Sequence, residues 1–161
     1  LTYINDVIVA WGSDNSLGNI ASKCPSPVQL LFGPHHGAPE ERKNTKLMTR
    51  HLQSISPSQC FLSFATINGY DHPSPKYIEA LRKTGCSITC SQLAKKCAGG
   101  RSSPVFKGDG LYGQKVPAGP NQVSCHGHTR FYVQGRNIYD EYENEYRNAV
   151  KRLPKALCNK A

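Results

Sequence analysis

No apolar run in the 161 residues approaches the roughly 20 that a membrane span needs. No charged start leads into an apolar stretch and a small-residue cleavage site. The first lack argues against a membrane-spanning helix and the second against an export signal in this stretch, so a cytoplasmic location is the expectation. Acidic side chains are scarce: 11 Asp and Glu stand against 20 Lys and Arg, a formal charge of +9. With 19% charged and 38% hydrophobic residues, 14 Gly and 11 Pro, the composition excludes disordered, collagenous and coiled-coil chains. What remains is a loop-rich globular domain, or part of one, without internal repeats. Because it opens at Leu1 in what reads as the middle of a strand, a fragment is expected.

The basic excess is regional. From Arg42 to Lys107 there are eleven basic and two acidic residues, and the rest of the chain balances at nine of each. One face meeting a polyanion gives that pattern, as does a merely solvated basic surface. The seven cysteines are an odd number, so at least one is free or metal-bound. Cys60, inside an apolar run, reads as a buried inert thiol. Cys86, Cys90, Cys97 and Cys125 come into one region if the loop after Cys97 returns to a strand near Cys125, giving either a zinc site or a disulfide.

Strand-like runs recur at 3–11, 28–32, 60–65, 87–90 and 129–134, with helical stretches between several of them. Ser74 to Gly85 carries a serine N-cap, proline at the first helical position, basic residues in the last turn and glycine beyond. Asn44 to Ile55 predicts a second helix. From Tyr139 to Leu153 the apolar spacing predicts a third, with acidic residues early and basic ones late. Strand, helix and strand in alternation make an α/β layered fold. Between Ala98 and Gln122 a Gly-, Ser- and Pro-rich stretch predicts a long surface loop.

Three loops follow apparent strands, where α/β folds place their working residues. They are Trp11-Gly-Ser-Asp14-Asn15, Gly33-Pro-His35-His36-Gly37-Ala38 and Asn68-Gly-Tyr70-Asp71-His72-Pro73. An aspartate and several imidazoles at neighbouring strand ends can converge on a metal such as zinc. Taken singly, Asp14 reads as a turn residue or as a helix N-cap ahead of residues 16–23, and His72 before proline as a surface turn residue.

The runs Leu30-Leu-Phe-Gly-Pro-His-His-Gly-Ala38, Ile55-Ser-Pro-Ser-Gln-Cys-Phe-Leu-Ser-Phe-Ala65, Asn68-Gly-Tyr-Asp-His-Pro73 and Tyr77-Ile-Glu-Ala-Leu81, in this order, resemble the metallo-β-lactamase-like hydrolases of the competence (DNA-internalisation) type. Trp11-Gly-Ser-Asp14 takes the place of that family's Gly-Asp element with one residue inserted, and the likeness spans about residues 5 to 135. The resemblance implies an αββα sandwich that binds one or two metal ions, zinc or manganese, and hydrolyses phosphodiesters. By position Asp14 would be the bridging carboxylate and His35 a metal ligand. His36, Asn68 and His72 would be ligands or phosphate contacts, with His36 and His72 in catalytic roles. Tyr70, Lys95 and Lys96 would meet the substrate. Cys90-Ser-Gln-Leu-Ala-Lys-Lys-Cys97, a long loop and then Cys125 resemble a branch of the family in which a cysteine trio recurs on the distal loop. The expectation there is a structural zinc held by Cys90, Cys97 and Cys125 with His126 or His128. The alternative is a Cys90–Cys125 disulfide leaving Cys97 free.

The family's principal metal motif, His-x-His/Asp-x-Asp-His, has no counterpart here; His126-Gly-His128 has only its first part and is followed by Thr-Arg. The chain is therefore expected to supply the second half of the sandwich, with a companion chain or fragment carrying the first and a sheet face left uncovered between them. The leading expectation is part of a metal-dependent nuclease or phosphodiesterase acting on DNA. A catalytically inactive nucleic-acid-binding or scaffold module of the same fold is the alternative. A β-lactam or thioester hydrolase fits less well, because those substrates give no reason for the basic segment.

Overall fold

A computed structural model describes residues 2–4, 7–10, 17–24, 26–38, 45–99, 103–106, 123–127 and 129–159. Their architecture is mixed α/β. Strands β1 (Thr2–Ile4), β2 (Val7–Ala10), β3 (Leu30–Phe32), β4 (Gln59–Leu62) and β5 (Ser87–Cys90) form one sheet in the order β1-β2-β3-β4-β5. The last four run parallel, and β1 pairs antiparallel with β2. The single strand expected at 3–11 is thus two, Thr2–Ile4 and Val7–Ala10.

Helices α1 (Leu17–Lys23), α2 (Thr45–Ile55) and α3 (Pro75–Arg82) connect the parallel strands in turn. Sequential strand order with crossovers of one hand places every connecting helix on the same face, and α1 packs on α2 and α2 on α3. Side chains alternate accordingly. Ala10, Leu31, Cys60, Leu62, Ile88 and Cys90 point into the main core with Leu17, Met48, Leu52 and Ile78. Val9, Leu30 and Phe61 point to the opposite face.

That opposite face is not bare. Strands β6 (Phe131–Gln134) and β7 (Asn137–Asp140) make an antiparallel hairpin whose Phe131, Val133 and Ile138 pack against Val9, Leu30 and Phe61. Phe131 meets Phe61 edge-on at 6.3 Å, and Gln59 Nε2 donates to Ile138 O at 3.2 Å. The cover is partial: Phe32, edge-on to Phe61, remains 36% exposed.

The C-terminal helix α5 (Glu143–Val150) is shorter than the 139–153 expected. Gly135, at φ 59°, turns the chain so that 137–140 pairs back on β6, and Tyr139 lies exposed on that strand instead of on a helical stripe. Asp140 Oδ1 accepts from Tyr142 N at 3.0 Å just before the helix begins. Tyr146, Val150 and Leu153 do enter the core. The outer edge of β5 is covered by this region. Arg147 Nη1 donates to Ile88 O at 2.9 Å, His126 N to Cys90 O at 2.9 Å and Cys125 N to Ser91 O at 3.2 Å, so edge carbonyls that would otherwise invite another strand are taken up. Among the described residues no helix is long and apolar enough to cross a membrane.

Candidate functional site

The carboxyl ends of the parallel strands open on one side of the sheet, the usual place for ligands in such folds. The chain leaves β3 at Gly33, turns tightly through Pro34–Gly37 with His35 and His36 in left-handed backbone, and continues to Ala38. It leaves β4 at Ser63 and runs through Thr66 to the Asn68–Pro73 loop before α3. Between these loops lies a cleft of about 840 Å³ lined by His35, His36, Ser63, Asn68, Tyr70 and His72, with Gln92 and Thr129 from beyond β5.

The three imidazoles converge. Ring centroids are 5.2 Å apart for His35 and His72, 6.4 Å for His36 and His72, and 6.5 Å for His35 and His36. Tyr70, 76% exposed, stacks on His72 at 5.7 Å and 18°. His36 Nδ1 makes a short contact with the carbonyl of Ser63, which directs Nε2 away from the loop. An imidazole oriented through one nitrogen by a backbone carbonyl is the usual arrangement of a metal-ligating histidine.

The backbone under these rings is under strain. Four described non-glycine residues have positive φ, and three of them are His35 (47°), His36 (55°) and Asp71 (58°). Left-handed backbone costs about 1–2 kcal/mol per residue with a side chain and persists where the surroundings enforce it, often at functional sites. Here they do enforce it. Ser74 N donates to Gly37 O at 2.9 Å, stitching the two histidine loops together. Gly37, at φ 80°, lets the loops touch, since a Cβ there would come within 2.9 Å of Pro73 Cβ. Asn68 braces the second loop through both ends of its amide. Its Nδ2 donates to Ala65 O (2.8 Å) and His72 O (3.2 Å), and its Oδ1 accepts from His72 N (2.8 Å). Asn68 therefore lines the cleft, but its polar atoms serve the loop.

Among the described residues no group of three or more His, Cys, Asp or Glu side chains stands at metal-holding geometry. The three imidazoles are of a donor type that zinc takes, but their spacing as it stands is not that of a shared ion's ligands. Asp14 and His128 lie outside the described residues, as does most of the 98–122 loop. Lys95 and Lys96 open the one-turn helix α4 (Lys95–Ala98), and Lys96 Nζ reaches Asp71 Oδ2 at 2.6 Å, joining α4 to the His72 loop.

Family models, curated proteins and solved structures yield no match to this chain.

The cysteines sort differently from the expectation. Cys86 goes with Cys60: burial first, and then the neighbouring Cys86 sulfur, push the Cys60 thiol well above its usual range, while the Cys86 thiol donates to Ser87 O. Cys90, Cys97 and Cys125 do come together, joined by Cys158 from the segment after α5, and all four line one small void. His126 is not available to them. It is fully buried, with Nε2 3.0 Å from Asp140 Oδ2 and Nδ1 3.0 Å from Thr129 Oγ1. Cys158 carried no sequence signal, because it lies in no periodic segment and far along the chain from Cys125.

Burial pushes the Cys97 thiol up to about 11, from a starting value of 9.0, against the lowering effect of a hydrogen bond from Leu157 N. A thiol whose folded-state pKa is raised contributes stability fully present below the unfolded value and lost as pH rises through the folded one. With reductant and a chelator present, stability should therefore hold up to about pH 9 and fall by roughly 2–3 kcal/mol by pH 11 from this thiol. Cys97→Ser should remove that share of the fall, while the other buried thiols keep theirs. Urea midpoints measured across this range check both statements.

Proposed function

We propose that this chain is the second half of a metallo-β-lactamase-like αββα sandwich and forms part of a metal-dependent hydrolase that cleaves DNA phosphodiesters with metal-activated water. The observation that carries the reading is the convergence of His35, His36 and His72 on strained, mutually stitched loops at the carboxyl ends of β3 and β4. The part of the sheet face opposite the helices that the hairpin leaves uncovered, around the exposed Phe32, is where the companion half would seat.

In this reading His35 and Asp14 hold zinc or manganese with ligands from the companion half. Such an ion lowers the pKa of bound water and offsets charge on the phosphoryl oxygens. His36, with its Nδ1 held by Ser63 O, presents Nε2 to the cleft as a ligand or phosphate contact. His72 is fixed by the Asn68 brace on its backbone and stacks on Tyr70, where it can pass a proton or bind a phosphate oxygen. Tyr70 offers an exposed ring to a base or sugar.

The basic segment would hold the nucleic-acid backbone. Binding to duplex DNA should then weaken steeply with salt as counterions are released. Lys95→Glu with Lys96→Glu is expected to reduce affinity for all sequences alike and to lower the salt slope by about 1 to 2, the smaller figure applying if Lys96 stays with Asp71. Affinity indifferent to salt would remove DNA as the substrate class.

The deciding experiment is to purify the native assembly containing this chain, analyse its metal, and follow cleavage of linear and single-stranded DNA with and without zinc or manganese. Metal-dependent cleavage supports the proposal. Salt-dependent binding without cleavage in the metal-loaded assembly favours the inactive module.

A further inference from the structure

The segment after α5 folds back across the molecule so that Leu157 and Cys158, in a short 3-10 turn (Leu157–Asn159), reach the far end of β5 and the one-turn helix α4. Four thiols thereby gather from four separate places in the chain: Cys90 at the end of β5, Cys97 in α4, Cys125 in the strap along the β5 edge, and Cys158. All four help to line a void of about 10 Å³ whose other walls are mostly apolar. We propose that these four cysteines are the ligands of a closed tetrahedral zinc site, with Cys158 and not a histidine as the fourth, that fastens the C-terminal segment and the β5-edge strap to the sheet. The proposal does not rest on the reading of the histidine cleft.

Several features of the surroundings suit thiolate. Partners already stand at the sulfurs: Leu157 N donates to Cys97 Sγ at 3.3 Å, and Tyr146 Oη lies 3.2 Å from Cys125 Sγ. Such outer hydrogen bonds are the normal support of metal-bound thiolates. Four thiolates around one zinc ion carry a net charge of −2, and two cations stand by. Arg147, whose Nη1 is fixed on Ile88 O, and Arg82, which donates to Leu157 O, both act on the Cys158 sulfur. Buried without an ion, these thiols have raised pKa values, chiefly from burial. A metal exchanges that penalty for four S–Zn bonds, the four thiol protons leaving to solvent.

As thiols the sulfurs are not at metal-holding geometry. The proposal requires them to turn into the void they share. His126 is excluded by its commitment to Asp140 and Thr129. A closed site of this kind leaves no position for water, so its contribution is to stability.

The test is cobalt(II) substitution of the reduced full chain, since tetrahedral thiolate coordination gives an intense near-ultraviolet charge-transfer band and strong visible bands that imidazole and carboxylate ligands do not. One equivalent of cobalt should produce a four-thiolate spectrum, and zinc should displace it. Cys158→Ser should weaken cobalt binding by about 100-fold or more. Cys158→His, which keeps a donor, should bind with the charge-transfer intensity of three thiolates, and it keeps the test decisive if Cys158→Ser does not fold. Cys24→Ser, outside the cluster, should leave the spectrum unchanged. No thiolate band in the reduced chain, an unaltered spectrum in Cys158→His, or a disulfide-linked peptide among the four in the native protein would each overturn the proposal.

Discussion

His35→Ala in the native assembly is expected to reduce metal-dependent DNA cleavage by at least about 100-fold, a loss of roughly 3 kcal/mol or more of transition-state stabilisation. The size follows from its placement. The His35 ring lies 5.2 Å from His72 in the cleft, on a backbone in the left-handed region in a loop stitched to the next. Because the ring is exposed, its removal leaves the core untouched, and the thermal midpoint should stay within a few degrees of the parent. Asp14→Ala should lose cleavage likewise. The expected readout is lost cleavage with retained salt-dependent DNA binding and, where the companion half supplies other ligands, weakened metal retention. Undiminished cleavage in His35→Ala would remove the histidine loop from the reaction.

A second large effect belongs to the strand that delivers this loop. Gly33 follows β3 with φ −59° and ψ 117°, a conformation open to any residue, yet a Cβ there would stand 2.2 Å from Leu62 Cδ2. Leu62 is fully buried in the main core. Gly33→Ala should therefore cost about 2–3 kcal/mol through overpacking, despite the small entropic gain that alanine normally brings. Leu62→Ala alone should cost about 2–5 kcal/mol by opening a cavity. The two together should be far from additive, with Gly33→Ala nearly neutral once Leu62 is shortened. Denaturant unfolding of the four members of the cycle measures the coupling. Simple additivity would show that the close approach relaxes without cost.

Local signals were legible in the sequence and long-range ones were not. Helix α3 lies within the stretch bounded by Ser74 and Gly85, because Pro75, the basic last turn and the glycine act within a few residues of each other. Even there Ser74 occupies the cap position without making the side-chain hydrogen bond that serine there usually supplies. The 137–140 strand was hidden because Tyr139 and Tyr142 also satisfy helical spacing, and only the turn at Gly135 and pairing with β6 decide between the two periods. The same limit applies to the sites. His35, His36 and His72 could be singled out because motif and strand end coincide. That Asn68 spends its amide on the loop, that His126 pairs with Asp140, and that Cys158 joins the other thiols depends on how the chain returns on itself.

The sheet order has a consequence for how the chain is born. Each parallel strand of the sheet is laid beside the one made just before it, so β2 to β5 can assemble as they leave the ribosome. The groups that shield the outer edge of β5 come much later: the amides of Cys125, His126 and Gly127 and the guanidinium of Arg147. At about 5–20 residues per second, that edge stays open for several seconds of synthesis. During that interval the nascent chain offers an unpaired strand to its neighbours on the same messenger, and chaperone binding is expected to concentrate there.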